Sequence, residues 1–304
     1  MSAHGESNKV IVIALMANIG IALAKFAGAF FTKSASLLAE AIHSLADCTN
    51  QVFLLIGARA AAKPADEIHP LGYGRESFFW SFMVAMLLFS MGGMFAIYEG
   101  IHKLRGPESE LKTPYVALAI LVISIALEGG SFFACLKEVR KQNTHSNLWL
   151  WFRKTAASDL IVIFMEDLAA LFGLCLATVF LIIAIFTKNP IWDAIGSIVI
   201  GVLLVVVAVL LAREVKSLLV GEKATTDYSK FIGLELQALN ENAKILKLIT
   251  LMTGPNEVML TMKIHPGSIE KATDLICKIN DLEIKIKKQF PEIRWLFVEP
   301  DFEA

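Results

Sequence analysis

Two side chains in the first hydrophobic third of the chain could bind a divalent metal ion. His43 and Asp47 are four residues apart within residues 37–62, an apolar segment long enough to cross a bilayer. On a helix this spacing places both side chains on one face, and Glu40 shares roughly that face. Ionisable groups are costly inside a membrane, and an imidazole beside a carboxylate is a ligand pair for transition metals. The stretch therefore predicts an intramembrane metal site; the alternative is that these groups only bond to each other or to nearby backbone.

An acidic pair lies in the fifth hydrophobic segment. Glu166 and Asp167 are adjacent, so on a helix their side chains point about 100° apart and cannot easily serve one small site. The residues four, seven and eleven positions after Glu166 are all small, as expected of a face packed closely against another helix: Ala170, Gly173 and Ala177. This pattern favours Glu166 as the inward group. Asp167 would be a second ligand, a partner that supports a ligand, or a proton carrier.

Other polar residues could support this site or form a second one. Glu128 lies in the fourth hydrophobic segment, and Lys25 in the first segment could neutralise Glu40 or Glu128. After the second segment, Asp66 and His69 could bind a metal in a glycine-rich turn. An ordinary polar loop explains the same two residues equally well.

The composition indicates that membrane helices position these residues. The 304 residues are 56% hydrophobic with a mean hydropathy of +0.60, a balance that is rare among soluble domains. Runs of about 20 apolar residues mark membrane spans. The four cysteines are scattered without a CxxC pair and indicate no disulfide framework. We predict six transmembrane helices, over residues 9–31, 36–62, 78–101, 114–136, 157–186 and 191–212.

The loops predict the orientation of these spans. Six spans place both ends of the chain on one side of the membrane. Lys and Arg are more frequent in the loops on that side than in the opposite loops, which predicts that both termini are cytoplasmic.

A small soluble domain is predicted after Gly221. The periodicity indicates a helix over 227–240, strands over 245–252 and 257–264, a helix with Ser268 as its N-cap that runs to about residue 289, and a strand over 294–298. We therefore expect residues 1–220 to form the transmembrane domain of an α-helical membrane protein. Residues 221–304 would form a cytoplasmic, ferredoxin-like α+β domain of order αββαβ.

Together these features resemble the cation diffusion facilitator family of divalent-metal transporters. The resemblance rests on His43-xxx-Asp47 after Ser36-Leu37-Leu38-Ala39-Glu40-Ala41, on the loop Asp66…His69-Pro70…Gly72-Tyr73-Gly74-Arg75, and on a C-terminal domain that ends in Glu299-Pro300-Asp301. It implies a homodimer, formed through the C-terminal domain, that exchanges a metal ion for protons. The site would lie between the second and fifth helices, and a His in the first position of the second-span pair implies zinc.

The fifth span departs from the family's usual His-xxx-Asp or Asp-xxx-Asp motif. Ile163 stands four residues before Asp167 and Val162 four residues before Glu166, so the usual two ligands from each helix cannot be carried over intact. If the acidic pair substitutes, the site is richer in oxygen, which leaves manganese, iron or cobalt open. The pattern resembles a divergent branch of the family that includes a mitochondrial zinc transporter of animals.

We therefore expect a multi-pass membrane transporter, a cation/proton antiporter and not an enzyme. It would export divalent ions, Zn²⁺ first, from the cytoplasm in exchange for H⁺, across the inner or plasma membrane if the source is bacterial. The bilayer is an expected partner and nucleic acid is not. Alternatives are a transporter selective for Mn, Fe or Co, and a non-transporting or metalloenzyme-like protein with a degraded site. The expected metal ligands are His43, Asp47, Glu166 and Asp167, with Asp66 and His69 as a second site in the loop.

Overall fold

The computed structural model describes residues 3–105, 113–142, 158–255, 257–268 and 271–303; of residues 3–17, 138, 141–142 and 158–160 it describes only the backbone. The described residues belong to two compact units. The first draws on Met1–Gly57, Trp80–Trp151 and Asp159–Val215. The second draws on Ala58–Phe79, Phe152–Ser158 and Lys216–Ala304, so it combines the loop after the second predicted span with the C-terminal region.

Long helices make up the first unit, as expected of apolar runs that reach the length of a bilayer. Among the described residues, four stretches are long and apolar enough to cross a membrane: Glu76–Arg105, Pro114–Lys137, Ile161–Thr187 and Ile191–Val220. The chain is therefore a helical membrane protein, while the arrangement of six spans stays a prediction. The helices that contribute to this unit are α1 (Ala3–Thr32), α2 (Ala35–Ala61), α3 (Glu76–Leu87), α4 (Phe95–Arg105), α5 (Pro114–Gln142), α6 (Ser158–Thr187) and α7 (Ile191–Val220).

A π-helical segment, Leu88–Met94, joins α3 to α4. A Cβ atom added to Gly93 in this segment would lie 3.0 Å from the backbone nitrogen of Val205 in α7. One added to Gly201 would lie 2.7 Å from the carbonyl oxygen of Gly93. Because only glycine allows two backbones to approach this closely, these residues hold the π-helical segment against α7.

A cluster of aliphatic side chains fills the space between the helices of the first unit. It includes Leu37 of α2, Leu121 of α5, Leu174 of α6 and Leu204 of α7, all of them inaccessible to solvent. In a bilayer, close packing of this kind is a main force between helices, because lipid is as apolar as leucine. The cluster therefore fixes α2 beside the helices that could complete a site.

The C-terminal part of the second unit is a three-stranded sheet with two helices. The central strand is antiparallel to the first strand and parallel to the third. Every second residue of the central strand is buried in a core shared with both helices, as a sheet with one covered face requires. The order of elements is the predicted one, and the ferredoxin-like classification stays a prediction. The elements are α8 (Ser229–Leu239), β1 (Lys244–Gly254), β2 (Glu257–His265), α9 (Ala272–Gln289) and β3 (Ile293–Pro300).

The second of these helices begins later than predicted. It starts at Ala272, with Lys271 as its N-cap residue, and the prediction of Ser268 as the N-cap is wrong. Gly267 has a φ of +73°, and the carbonyl oxygen of Ser268 accepts a hydrogen bond from the Asn240 side chain. The chain turns and is anchored at this point, so helical geometry cannot extend back to Ser268.

Candidate metal centre

The polar residues of α2 form one buried stripe. Glu40, His43, Ser44, Asp47 and Asn50 recur every three or four residues, which places them on one side of the helix. All five side chains are buried: Glu40 and Asn50 are inaccessible to solvent, and His43 is 1% exposed. A helix with this pattern presents a polar face to its neighbours within the bundle.

Asp47 links α2 to α6. Its Oδ1 lies 3.5 Å from Nδ1 of His43, one turn earlier on α2. Its carboxyl group is also within hydrogen-bonding reach of the Glu166 carboxyl group on α6. The amide nitrogen of Asn50 donates a hydrogen bond of 3.1 Å to Oε1 of Glu166. Asp47 therefore contacts two of the other predicted ligands, His43 and Glu166, one on each side.

Asp167 faces a different helix. Its Oδ2 accepts a hydrogen bond of 3.4 Å from the Ser131 hydroxyl of α5. This is the geometric consequence of adjacency, because neighbours on a helix point about 100° apart. Glu166 is directed toward α2, and Ala170 and Ala177 on its side of the helix are buried.

Asn50 is a residue that the sequence interpretation missed. It lies three residues after Asp47 and seven after His43, so helical spacing alone places it on the stripe of the predicted ligands. Its bond to Glu166 orients that carboxylate toward α2. The signal was present in the spacing, and a search confined to metal-ligand residue types overlooks an amide.

Many polar atoms on this stripe lack a hydrogen-bond partner. They include both carboxylate oxygens of Glu40, both ring nitrogens of His43, Oδ1 of Asp47 and the side-chain oxygens of Asn50 and Gln51. Leaving a buried polar group unsatisfied costs about 1–3 kcal/mol, so native structures contain few of them. A concentration of such atoms on one helix indicates a place that is built to bind something polar.

The described side chains do not form a closed coordination shell. Within the residues that the structure describes, no group of three or more His, Cys, Asp or Glu side chains is close enough together to hold a metal ion. What the structure contains is a pair of contacts centred on Asp47, one to His43 and one to Glu166.

The π-helical segment lies against the imidazole of His43. A Cβ atom added to Gly92 would be 3.8 Å from Nδ1 of His43 and 3.3 Å from Leu204. π-helical turns inside α-helices occur frequently at functional sites. His43 is thus packed between its own helix and a stretch of irregular backbone.

A buried cation lies beside the stripe. Nζ of Lys25, on α1, donates a hydrogen bond of 2.7 Å to Oγ of Ser44. It also lies 3.6 Å from Oε2 of Glu40 and 3.8 Å from Oε1 of Glu128. The sequence predicted that Lys25 could neutralise either acid, and the structure places it between both.

Another buried acid, Asp193, has a full set of partners and was not singled out from the sequence. Its Oδ1 accepts a bond of 2.7 Å from the hydroxyl of Ser34, and its Oδ2 accepts one of 2.6 Å from the backbone N–H of Ala35. Nζ of Lys103 lies 3.0 Å from Oδ2. A carboxylate placed at the N-terminus of α2 is favourable for the helix dipole and for its free N–H groups. Asp193 therefore joins α7, α4 and the start of α2.

Asp66 and His69, the predicted loop site, form a tight turn. Oδ1 of Asp66 accepts hydrogen bonds from the backbone N–H of Ile68 and, at 2.6 Å, of His69, while Oδ2 accepts one of 2.7 Å from Tyr73. These hydrogen bonds lower the pKa of Asp66, and the bond from Tyr73 has the largest effect. The bond between Tyr73 and Asp66 also raises the pKa of the Tyr73 phenol. The carboxylate is used within the loop, as the interpretation of an ordinary polar loop requires.

The loop also packs against the β1–β2 hairpin within the second unit. A Cβ atom added to Gly74 would lie 2.6 Å from the carbonyl oxygen of Thr253 and 3.0 Å from Cα of Gly254. A larger residue could not occupy this position without moving the backbone. The turn at Asp66 thus belongs to a segment that is held on the sheet.

The sequence matches the cation efflux transmembrane domain over residues 11–220. The chain therefore belongs to the cation efflux family, and the predicted membership of the cation diffusion facilitator family is confirmed. The matched region contains the polar stripe of α2 and the acidic pair of α6.

Three relatives show which proteins the chain is similar to. "Metal tolerance protein C4" of Arabidopsis thaliana is 33% identical over 223 residues, 71% of this chain and 48% of that protein. "Proton-coupled zinc antiporter SLC30A9, mitochondrial" is 30% identical over 221 residues in Xenopus laevis, 72% of this chain and 39% of that protein. The protein of that name in Mus musculus is 31% identical over 205 residues, 67% of this chain and 36% of that protein. The chain thus spans less than half the length of each of these relatives.

Proposed function

We propose that the protein is a secondary active transporter that exports divalent metal ions, Zn²⁺ first, from the cytoplasm in exchange for protons. One observation carries the proposal: Asp47 contacts both His43 on its own helix and Glu166 on α6, inside a buried stripe whose polar atoms lack partners. Two carboxyl groups that meet in a low-dielectric interior require a proton or a cation between them. A divalent ion at Asp47 would satisfy both, with a nitrogen ligand from His43.

The same groups would couple metal to protons. A neutral imidazole and ionised carboxylates bind a metal, and protonation of these groups competes with it. Protons arriving from the far side would displace the ion outward, and their release to the less acidic cytoplasm would restore the ligands. Two arrangements of α2 and α6 against the remaining helices would expose the site to alternate sides.

Zinc is the ion that the His43 ligand favours, and two relatives carry the words "zinc antiporter" in their names. The carboxylates of Asp47 and Glu166 make the site richer in oxygen than a site with two imidazoles. Harder ions such as Mn²⁺ prefer oxygen, so a transporter of manganese, iron or cobalt is the second candidate. Asp167, which is bonded to Ser131 of α5, would support Glu166 and would not bind the ion directly.

We extend the proposal to the architecture. Helices α1 and α2 would add two spans to the four apolar stretches, which gives six and places both termini in the cytoplasm. Residues 1–220 would be the transmembrane domain, and residues 221–304 would be the domain through which two copies dimerise. The turn at Asp66 and His69 would serve as a structural element and not as a second metal site, because its carboxylate is already used.

Transport in proteoliposomes with an imposed pH gradient tests the function. We expect Zn²⁺ flux that rises with the proton gradient, and loss of flux in His43→Ala and Asp47→Ala. His102→Ala is a matched control, because His102 is an exposed histidine on α4. Flux that ignores the gradient would contradict proton coupling, and undiminished flux in His43→Ala would contradict the site.

The rival function is a non-transporting or enzymatic role for a degraded site. A metal hydrolase needs an open coordination position and a general base in a wet cavity, and the sequence has no HExxH motif. Stoichiometric binding of Zn²⁺ that Glu166→Ala abolishes, together with flux, favours transport. Binding without flux would favour the rival.

A further inference from the structure

We propose that Lys25 is a positioning residue that occupies Glu40 and Glu128 as a tethered cation and so leaves the transported ion to His43, Asp47 and Glu166. The proposal rests on the function proposed above. It concerns Glu40, an acid of the stripe that is not among the predicted ligands, and it gives a specific role to the buried ammonium group of Lys25.

The geometry around Lys25 is that of a built cation site. Its side chain is 1% exposed, and those of Glu40 and Glu128 are 0% and 15% exposed. The ammonium nitrogen lies within 4 Å of both carboxylates and bonds to Ser44. A charge this deeply buried is tolerated only when it is paired, so the lysine and the two acids depend on one another.

The buried acids on and beside the stripe fall into two sets, Glu40 with Glu128 and Asp47 with Glu166. Glu40 and Glu128 share the ammonium group of Lys25. Among the described residues, no lysine or arginine nitrogen is in ion-pair contact with Asp47 or Glu166. These two acids contact each other, and they also contact His43 and Asn50. A divalent ion would supply to the second set the positive charge that Lys25 supplies to the first.

Glu40 has the chemistry of a metal ligand and is kept from that role by its pairing with Lys25. Both of its carboxylate oxygens lack a hydrogen-bond partner, although the side chain is inaccessible to solvent. It lies three residues before His43, whose ring nitrogens are also without partners. A Cβ atom added to Gly173 of α6 would be 2.6 Å from its Oε1, so the carboxylate already lies against the helix that carries Glu166. Without the ammonium group, Glu40 and Glu128 would offer their carboxylate oxygens to a second ion in its place.

Equilibrium binding of Zn²⁺ to the purified full-length protein in detergent tests this assignment. We expect Lys25→Met, a neutral change of similar length, to bind one more ion per chain than the wild type. Adding Glu40→Gln to Lys25→Met should return the count to that of the wild type, with an affinity within about threefold of it. Lys25→Arg keeps the charge and should keep the wild-type count. Lys230→Met, at an exposed lysine of α8, is the matched control.

The outcomes separate this inference from the function on which it rests. If His43→Ala binds Zn²⁺ as the wild type does, the proposed site fails and the inference fails with it. If His43→Ala loses binding but Lys25→Met keeps the wild-type count, the function stands and the role of Lys25 is overturned. Should Lys25→Met not fold, the double variant, which carries one fewer unpaired charge, decides: an affinity about 50-fold or more below the wild type would overturn the proposal, and one within threefold would support it.

Discussion

Two buried polar clusters of the first unit differ in how completely their hydrogen bonds are satisfied. Around Asp193, both carboxylate oxygens accept hydrogen bonds, and Lys103 supplies a positive charge. Around Asp47, the neighbouring atoms of His43 and Glu40 lack hydrogen-bond partners. Each cluster is centred on a buried aspartate. Burial alone therefore does not distinguish the two clusters, and we expect the one whose polar atoms lack partners to be the one that binds an ion.

The difference also predicts that the Asp193 cluster and the Asp47 cluster contribute differently to the stability of the folded protein. Removing either member of a satisfied buried ion pair destabilises the folded protein, because the remaining charge is left buried without a partner. An unsatisfied group is costly in the folded protein, and this cost is offset when a ligand binds. The Asp193 cluster should therefore matter for folding, and the Asp47 cluster for binding. Four predictions test this contrast, in order of decreasing effect.

The largest effect is expected at the Asp47 cluster. Asp47→Asn should weaken Zn²⁺ binding by more than the roughly 10–100-fold that supporting residues of metal sites cost, because it removes the group that contacts both His43 and Glu166. Thermal stability without metal should stay the same or rise. Titration calorimetry and thermal unfolding measure the two quantities. A variant that unfolds readily yet still binds Zn²⁺ would reverse the assignment.

The second effect is expected at the Asp193 cluster and has the opposite character. Asp193→Ala should lower the free energy of unfolding by about 3 kcal/mol, since it leaves Lys103 and the first N–H groups of α2 without their acceptor. The affinity for Zn²⁺ should stay within about twofold of the wild type in the fraction that folds. Denaturant unfolding in detergent checks the first statement. A loss of metal binding with unchanged stability would contradict the contrast.

A smaller effect is expected where a hydrogen bond supports a ligand. Asn50→Leu removes the donor to Glu166 and should weaken Zn²⁺ binding roughly tenfold. Thr49→Val is the matched control, because the Thr49 hydroxyl on the same helix donates to the carbonyl oxygen of Leu45 and not to Glu166. Equal losses in the two variants would mean that Asn50 does not position Glu166.

The smallest effect is expected at Asp66, an exposed acid whose two carboxylate oxygens both accept hydrogen bonds. The pKa of Asp66 is lowered by its bonds to Tyr73 and to backbone N–H groups. A lowered folded-state pKa stabilises the turn above the usual Asp range, and this contribution is lost as pH falls through the lowered value. Tyr73→Phe should raise the pKa of Asp66 toward its ordinary value, which NMR of the Asp66 carboxyl carbon measures. An unchanged value would mean that the backbone bonds alone hold the turn.

The sequence predicted the elements better than the contacts between them. Helical spacing identified the face of His43 and Asp47, and the small residues after Glu166 indicated which acid of its pair is directed inward. Both signals are local to one helix. Asp193 carries no such signal, because its partners Ser34, Ala35 and Lys103 come from distant parts of the chain. The start of α9 was missed for a related reason, since the bond of Asn240 to Ser268 is not visible in a periodicity.

The polar stripe of α2 has a consequence for how the chain enters the membrane. This helix is not among the described stretches that are apolar enough to cross a bilayer by themselves. An acidic residue near the centre of a span costs about 2.5–3.5 kcal/mol during insertion. Asp47 lies near the middle of α2, whereas Glu40, nearer the start of the helix, is paired with Lys25 of α1. If α1 and α2 cross the membrane as proposed, we expect them to leave the translocon as a pair, with Lys25 and Glu40 already in contact.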